Sequence, residues 1–126
     1  MKDRPKTLPS SYREKRRYLT FKIISDEEIR PEDLAKALWR AVAGNMGVFG
    51  LAKTNFHFFR DLYEQSEKKF VVRCMPKDVE AVRLSMALIT EINEKPASIV
   101  SVGVSGTMRS SKKKHLKQTL LSTYKI

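Results

Sequence analysis

The order in which apolar residues recur along the chain constrains its fold more than any other feature. Near the start, RYLTFKII alternates, with Leu19, Phe21 and Ile23 on one side and Tyr18 and Lys22 among the side chains on the other. Near the end, SIVSVGV alternates in the same way. A period of two is typical of a half-buried strand, so the sequence predicts one strand near each end of the domain.

A first helical pattern follows the first strand. Pro31 with two acids directly after it is typical of a helix start, because acids are favoured at the positive end of the helix dipole. Three glycines, at positions 44, 47 and 50, then interrupt the periodicity. The sequence predicts a helix that ends at about Asn45 and is followed by a loop.

Two further strands and a second helix are predicted in the middle of the chain. Residues 51–62 and 68–75 are strand-like and are joined by the polar stretch YEQSEKK, which indicates a hairpin. Pro76 ends the second of these strands, and a helix is predicted from Asp78 to about Asn93. The predicted order is therefore β-α-β-β-α-β.

This order predicts an α+β, ferredoxin-like fold resembling the RNA recognition motif. It has a four-stranded antiparallel sheet with both helices on one face. The predicted divisions are a flexible basic arm at 1–15, the domain at 16–107 and a basic tail at 108–126, with helical spacing at its leucines. The other sheet face is expected to be open and to carry Tyr18, Thr20, Lys22, Val71 and Arg73. Because Tyr18 is the lone aromatic candidate there, sequence-specific reading of single strands by stacking on this face is not expected.

Charge is concentrated at the two ends of the chain. The formal net charge is +11, and residues 1–17 hold seven Lys/Arg against two acids. Residues 107–126 hold six Lys/Arg and no acid, whereas the 89 residues between carry twelve bases and twelve acids. A neutral body with basic ends favours a polyanionic partner, since Lys and Arg bind phosphates without demanding a sequence. The alternative is that the basic ends serve only solubility.

The candidate RNA-binding residues come from these ends and from the predicted open face. In the stretch GVSGT, glycines would let backbone amides approach a phosphate, and two hydroxyls would add donors. The competing interpretation is a tight turn in which the glycines supply positive φ angles. The candidates are Arg13, Lys15, Arg16, Arg17, Lys22, Arg73, Ser105, Thr107, Arg109, Lys112, Lys113 and Lys114.

No residue pattern points to a catalytic or metal site within the protein. His57 and His115 are far apart and lack metal-ligand spacing, and Thr107 stands where a nucleophile turn around Ser105 needs glycine. The lone cysteine, Cys74, lies in an apolar run and is predicted to be a buried small hydrophobe. The chain has no secretory signal or membrane span, so an intracellular, cytoplasmic location is expected (nuclear in a eukaryote).

The second helix is apolar on more than one side, and a surplus apolar stripe indicates burial against another protein. A wide core face partly covered by loops is an equally good interpretation. The candidate partner-interface residues are Val79, Val82, Leu84, Met86, Leu88 and Ile89.

Several stretches together resemble one family, protein component 2 of archaeal ribonuclease P, which is related to a eukaryotic ribonuclease P/MRP subunit. They are RRYLTFKIIS, LAKALWRAV, GVFGLAK, VRCMPKDVEAVRLSMALITEIN and VSVGVSGTMR, spread over about residues 15–112. The most specific is GVSGT followed by an aliphatic residue and Arg109. Met108 stands where a branched aliphatic residue is usual, and the extension 116–126 has no assigned role.

The resemblance implies a ferredoxin-like subunit that helps a catalytic RNA remove the 5′ leader from precursor tRNA. It implies as partners the ribonuclease P RNA, precursor tRNA, the barrel-shaped protein subunit component 3 and the other ribonuclease P proteins. A homodimer within a heterotetramer is a further implied arrangement. The protein binds no cofactor in this scheme, and the magnesium ions belong to the RNA. Two rival hypotheses are an interaction scaffold in another ribonucleoprotein and a ligand-sensing regulatory domain of the same topology.

Overall fold

A computed structural model describes residues 15–107. The elements follow the order β1 (Arg17–Ile24), α1 (Pro31–Lys53), β2 (His57–Phe58), β3 (Lys69–Cys74), α2 (Val79–Ala87), β4 (Glu91–Ile92), β5 (Lys95–Pro96) and β6 (Ser98–Ser105). Short 3-10 turns occupy Arg60–Leu62 and Pro76–Asp78. The predicted ferredoxin-like α+β fold is confirmed.

Four strands form the main sheet in the order β2-β3-β1-β6, and every neighbouring pair is antiparallel. The first and last strands in sequence, β1 and β6, therefore lie side by side, with Tyr18 opposite Ser105 and Ile24 opposite Ser98. A bulge interrupts this pairing after Thr20. The register places both the start of β1 and the end of β6 at one end of the sheet.

The core lies between this sheet and the two helices. Leu19, Phe21 and Ile23, the predicted inward side of β1, are almost completely buried. On α1, Leu34 and Val42 lie two turns apart and are both fully buried, because positions separated by four or eight residues share a helix face. Packing against the sheet therefore uses one stripe of α1.

The two helices also meet each other through a polar contact. The side-chain amide of Asn45 in α1 donates to the Ala81 carbonyl at 3.1 Å and to Ser85 Oγ at 3.0 Å in α2. The Ser85 hydroxyl in turn donates to the Ala81 carbonyl at 2.9 Å. The buried hydroxyl of Ser85 thus both donates and accepts a hydrogen bond, and Asn45 fixes the position of α2 against α1.

The first helix is interrupted two residues after Asn45, close to its predicted end, but further helical structure follows in place of the predicted loop. It breaks at Gly47, which has φ 79° and ψ 165°, and helical structure then resumes as far as Lys53. Glycine adopts this backbone conformation readily because it has no Cβ. The predicted strand over 51–62 is correspondingly wrong, and β2 is reduced to His57–Phe58.

The second helix is shorter than predicted. It ends at Ala87, and the chain then forms a small hairpin of β4 and β5. The hairpin turn places Asn93 at φ 51° and Glu94 at φ 66°, as a two-residue type I′ connection requires. The buried Ile92 lies at helical spacing from the preceding apolar residues, and for this reason the sequence pattern continued past the true helix end.

Within residues 15–107, no helix combines the length and the apolar character that crossing a membrane requires.

Candidate nucleic-acid interface

Both basic ends of the chain extend from one end of the sheet. Arg17, the first residue of β1, is paired with Cys74, the last residue of β3, and the next residue along β1 is paired with Ser105 at the end of β6. Gly106 follows directly, and a β-carbon placed there would lie 3.9 Å from Arg17 Nη1. Residues 1–14 and 108–126, which hold most of the excess charge, are therefore attached at the same place.

The opposite end of the sheet is acidic. Residues 25–33, 63–68 and 91–96 together hold nine acids and three bases. Hydrogen bonds join these segments: Gln65 Nε2 donates to Glu28 Oε2 at 3.2 Å, and Lys95 Nζ donates to the Glu28 carbonyl at 3.0 Å. Strand β1 spans eight residues between the two ends, roughly 25 Å. Residues 18–106 are neutral in sum but have an acidic end, and Lys15, Arg16 and Arg17 lie at the other, basic end.

An aromatic and basic group lies near the basic end, on the sheet face opposite the helices. His57 and Tyr18 are each paired with Arg73, so the three side chains form one row across β2, β3 and β1. The Phe59 ring lies 4.5 Å from that of His57 and 6.0 Å from that of Tyr18, between ring centroids. The Arg73 guanidinium carbon lies 5.8 Å from the centroid of Phe59. Tyr18 is therefore not the lone aromatic group of this face.

His57 and Phe59 were not predicted to belong to this face. The signal was present in NFHFFR, because His57 and Phe59 are two residues apart and share one side of a strand. This spacing assigns the two side chains to the face of Tyr18 and Arg73 only when the register of β2 against β3 is known.

The predicted RNA-binding residues fall into three groups. The first group, Arg16, Arg17, Arg73, Ser105 and Thr107, lies at the basic end, where Lys15 is also exposed. Lys22 lies apart from them, paired with Lys69 towards the acidic end. The others, Arg13, Arg109, Lys112, Lys113 and Lys114, are outside the described residues.

Two expectations for the stretch GVSGT do not match the geometry. Ser105 is 7% exposed, so Thr107 is the exposed hydroxyl of the pair. Within residues 15–107 the glycine with a positive φ is Gly47, so Gly103 and Gly106 do not form the positive-φ turn that was the alternative interpretation. Gly103 instead lies within β6, opposite Thr20.

Lys69 is a buried cation that the sequence did not single out. Its side chain is fully buried, and burial lowers the pKa of its ammonium group, with a smaller contribution from the like charge of Lys22. Nearby carboxylates of Glu64 and Glu67 act in the opposite direction. Lys69 therefore differs from Lys15, the exposed cation at the basic end.

The candidate partner residues of α2 divide between core and surface. Val82, Met86 and Ile89 belong to the hydrophobic core, whereas Leu84 and Leu88 are 51% and 62% exposed. Val79 is partly buried against the core. The second apolar stripe of α2 is thus reduced to two leucines.

A second exposed apolar group follows the break in α1. Val48 and Phe49 are 72% and 83% exposed, although both are apolar and sit in helical structure. The Gly47 break projects them away from the stripe that faces the sheet. This stretch was predicted to be a loop, so the exposed apolar pair was not predicted.

Cys74 is fully buried, as the sequence predicted. Burial, with a smaller contribution from Asp78, raises the pKa of its thiol to about 12. Since the thiolate is the reactive form, the thiol is inert in the folded protein near neutral pH.

Comparison with known proteins identifies the family. The profile of the Rpp14/Pop5 family matches residues 17–116. Ribonuclease P protein component 2 of Thermococcus gammatolerans is 38% identical over 92% of this chain and 95% of its own length. The protein of the same name from Methanocaldococcus jannaschii is also 38% identical, over 88% of this chain and 80% of its own.

A solved structure shows the same fold. A chain in the cryo-EM structure of yeast ribonuclease MRP superposes with a TM-score of 0.59 at 15% identity, covering 89% of this chain and 93% of that one. The family match spans the sheet, both helices and the start of the basic tail. This chain belongs to the Rpp14/Pop5 family.

Proposed function

We propose that this chain is a protein subunit of ribonuclease P that supports removal of the 5′ leader from precursor tRNA. The family and the names of the archaeal relatives support the assignment. The structural observation that carries it is the attachment of both basic ends at one end of an otherwise neutral domain. That arrangement suits a protein that holds RNA strands by their phosphates.

In this proposal the RNA carries the chemistry, using bound magnesium ions, and the protein lowers the repulsion between two negative strands. Cleavage brings substrate and ribozyme close together, so neutralising phosphates near the cut stabilises the productive arrangement. Lys112, Lys113 and Lys114 are the principal contacts proposed, with Arg16 and Arg17 beside the strand ends. The protein needs no catalytic group of its own for this role.

The acidic end of the domain would orient the subunit on RNA. Phosphates attract the basic end and repel the end that holds nine acids and three bases. A domain with opposite charges at two ends about 25 Å apart therefore has one favoured direction of approach. The acidic end is then left for solvent or for a basic protein surface.

The exposed apolar residues are the proposed contacts with other protein subunits. Leu84 and Leu88 on α2, and Val48 and Phe49 after the break in α1, are the large hydrophobic residues of the helices that are more than half exposed, which suits them to this role. The barrel-shaped component 3 subunit and a second copy of this chain are the proposed occupants. Replacing Leu84 and Leu88 by Glu should weaken binding of component 3. The control Ser66→Glu with Ser98→Glu adds the same charge at two exposed serines outside both helices, and it should leave this binding unchanged.

Reconstitution of precursor tRNA cleavage tests the function directly. Ribonuclease P RNA and the remaining protein subunits are assembled with and without this chain, and the rate of 5′ leader removal is measured at fixed magnesium. The proposal predicts a faster reaction, or cleavage at lower magnesium, when the chain is present. Equal rates at all magnesium concentrations would contradict it.

The rival of a scaffold in another ribonucleoprotein predicts a different salt response. A scaffold bound mainly by apolar protein contacts should associate with purified ribonuclease P RNA weakly, and its binding should change little with salt. The proposed function predicts a steep fall in affinity as salt rises.

A further inference from the structure

Three aromatic side chains and one arginine form a ring cluster at the basic end of the sheet, on the face opposite the helices. Tyr18 and His57 are each paired with Arg73, and the centroid of the Phe59 ring lies 6.0 Å from that of Tyr18 and 4.5 Å from that of His57. His57 is exposed, and the other three residues are half-buried. The ring cluster therefore presents aromatic surface to solvent beside β2, the last strand on this side of the sheet.

The charge of Arg73 is not used by the fold of residues 15–107. Its guanidinium carbon lies 5.8 Å from the centroid of the Phe59 ring, but Arg73 takes no part in the ion pairs of this part of the chain. Its Nε is buried and has no hydrogen-bond partner there. Because buried donors are normally paired, Arg73 has hydrogen-bonding capacity to spare.

The charge around the ring cluster favours an anionic ligand. The segments that contain the four strands of the sheet hold six Lys/Arg and no acid; they are 15–24, 54–59, 69–75 and 98–107. Aromatic rings also bind organic cations, but Arg73 within the cluster and Arg17 beside it would repel a cation. A ligand that combines an aromatic ring with negative charge fits both the rings and the arginines.

We propose that the ring cluster binds one unpaired nucleotide of an RNA strand, with the base stacked on the exposed ring of His57 and the phosphate beside Arg73. This inference rests on the proposed function, which brings RNA to the basic end of the domain. Stacking requires no particular base, because every base has an aromatic face. The site differs from phosphate contacts alone in that it requires a base that is free to leave a helix.

The next row of the same face limits the site to one base. Thr20 and Val71 are paired across β1 and β3 and have no exposed surface, so they offer nothing on which a second base could stack. Beyond them, Lys22 is paired with Lys69, and neither side chain is aromatic. Among these rows, the one at the basic end combines rings with positive charge.

The ring cluster is continuous with the place where the basic ends are attached. Ser105 lies opposite Tyr18, and the exposed Thr107 follows two residues later. His57 and Ser105 are three strand spacings apart, roughly 14 Å. An RNA strand that stacks one base at His57 would therefore continue across the row towards Arg17 and the basic ends.

NMR of the full-length chain with RNA tests the stacking directly. The probe is an unstructured RNA of about ten nucleotides, a length comparable to the sites of other single-strand binders. A base stacked on an imidazole shifts the ring protons upfield, so we expect this shift at His57 when the RNA is added at low salt. The chain has two histidines, and the signal of His57 is assigned by its loss in the variant His57→Phe. Binding without an upfield shift at His57 would overturn the proposal.

Two substitutions at His57 separate stacking from charge. His57→Ala should weaken binding of the same RNA by at least about 5-fold, the lower end of what one stacked base contributes. It should leave the slope of log affinity against log salt unchanged, because no phosphate contact is removed. His57→Phe keeps an aromatic ring and should bind as the wild type does. Wild-type affinity in the alanine variant, or an equal loss in both variants, would overturn the proposal.

The outcome can be told apart from that of the proposed function. If the chain accelerates precursor tRNA cleavage and His57→Ala binds RNA as tightly as the wild type, this inference fails and the proposed function stands. Absence of RNA binding at low salt would contradict the nucleotide site. Equal cleavage rates with and without the chain would contradict the proposed function.

Discussion

Replacing Gly47 by Ala should destabilise the protein through its backbone alone. A β-carbon at this position would meet no atom within 4 Å, so the substitution creates no steric clash with neighbours. The φ of 79° and ψ of 165° are nevertheless nearly restricted to glycine. Holding alanine there costs about 1–3 kcal/mol.

Gly44 provides a matched control three residues earlier in the same helix. A β-carbon there also meets nothing within 4 Å, but the backbone is helical, so Gly44→Ala should stabilise the protein by about 0.5–1 kcal/mol. Urea unfolding followed by circular dichroism at 222 nm measures both free energies of unfolding. The two variants should change stability in opposite directions. Stabilisation by both would mean that α1 continues through Gly47, and the account of the exposed Val48 and Phe49 would then be wrong.

Three other predictions concern stability and reactivity. Asn45→Ala removes the two hydrogen bonds that join α1 to α2. It should lower the free energy of unfolding by about 1 kcal/mol in the same urea assay. An unchanged midpoint of urea unfolding would show that water replaces the contact fully. Cys74 should react with a thiol reagent at pH 8 only as fast as the protein opens. Because its pKa is raised to about 12, this reaction should be at least ~100-fold slower than in denaturant. Fast labelling of the native protein would contradict the burial of Cys74. Burial, with a smaller effect from the charge of Glu28, raises the pKa of Tyr63 from 10.0 to about 12. The contribution of the Tyr63 hydroxyl to stability is therefore fully present below pH 10 and is lost as pH rises towards 12. Tyr63→Phe should flatten that part of the stability profile, and an equally steep fall in the variant would assign it to other groups.

The sequence predicted the fold wherever periodicity and packing agreed. In β1 the inward positions Leu19, Phe21 and Ile23 are buried as the alternation required, and β6 lies where SIVSVGV placed it. Three elements were given wrong bounds: the second part of α1, the strand β2 and the end of α2. Glycines suggested the end of α1, although only Gly47 leaves the helical conformation.

The site was harder to predict than the fold because it depends on register. The sequence placed Arg73 and Tyr18 on the same face, and this is confirmed by their pairing. His57 and Phe59 joined them only through the pairing of β2 with β3, which spans two residues. The separation of acidic and basic ends likewise comes from three segments that are distant in sequence and adjacent in the fold. Counting charges along the chain located the excess but could not show this separation.

The salt dependence of precursor tRNA cleavage by the reconstituted enzyme tests the central claim most directly. Changing Lys112, Lys113 and Lys114 to Ala should slow cleavage and reduce the slope of log rate against log salt by roughly two, since each phosphate contact contributes about 0.7–0.9. The control Lys36→Ala with Arg40→Ala removes exposed cations from α1, away from the proposed interface, and should leave the slope unchanged. If the lysine variant retains the wild-type rate and slope, or if the control loses as much per charge removed, the basic tail is not the RNA contact and the account is wrong.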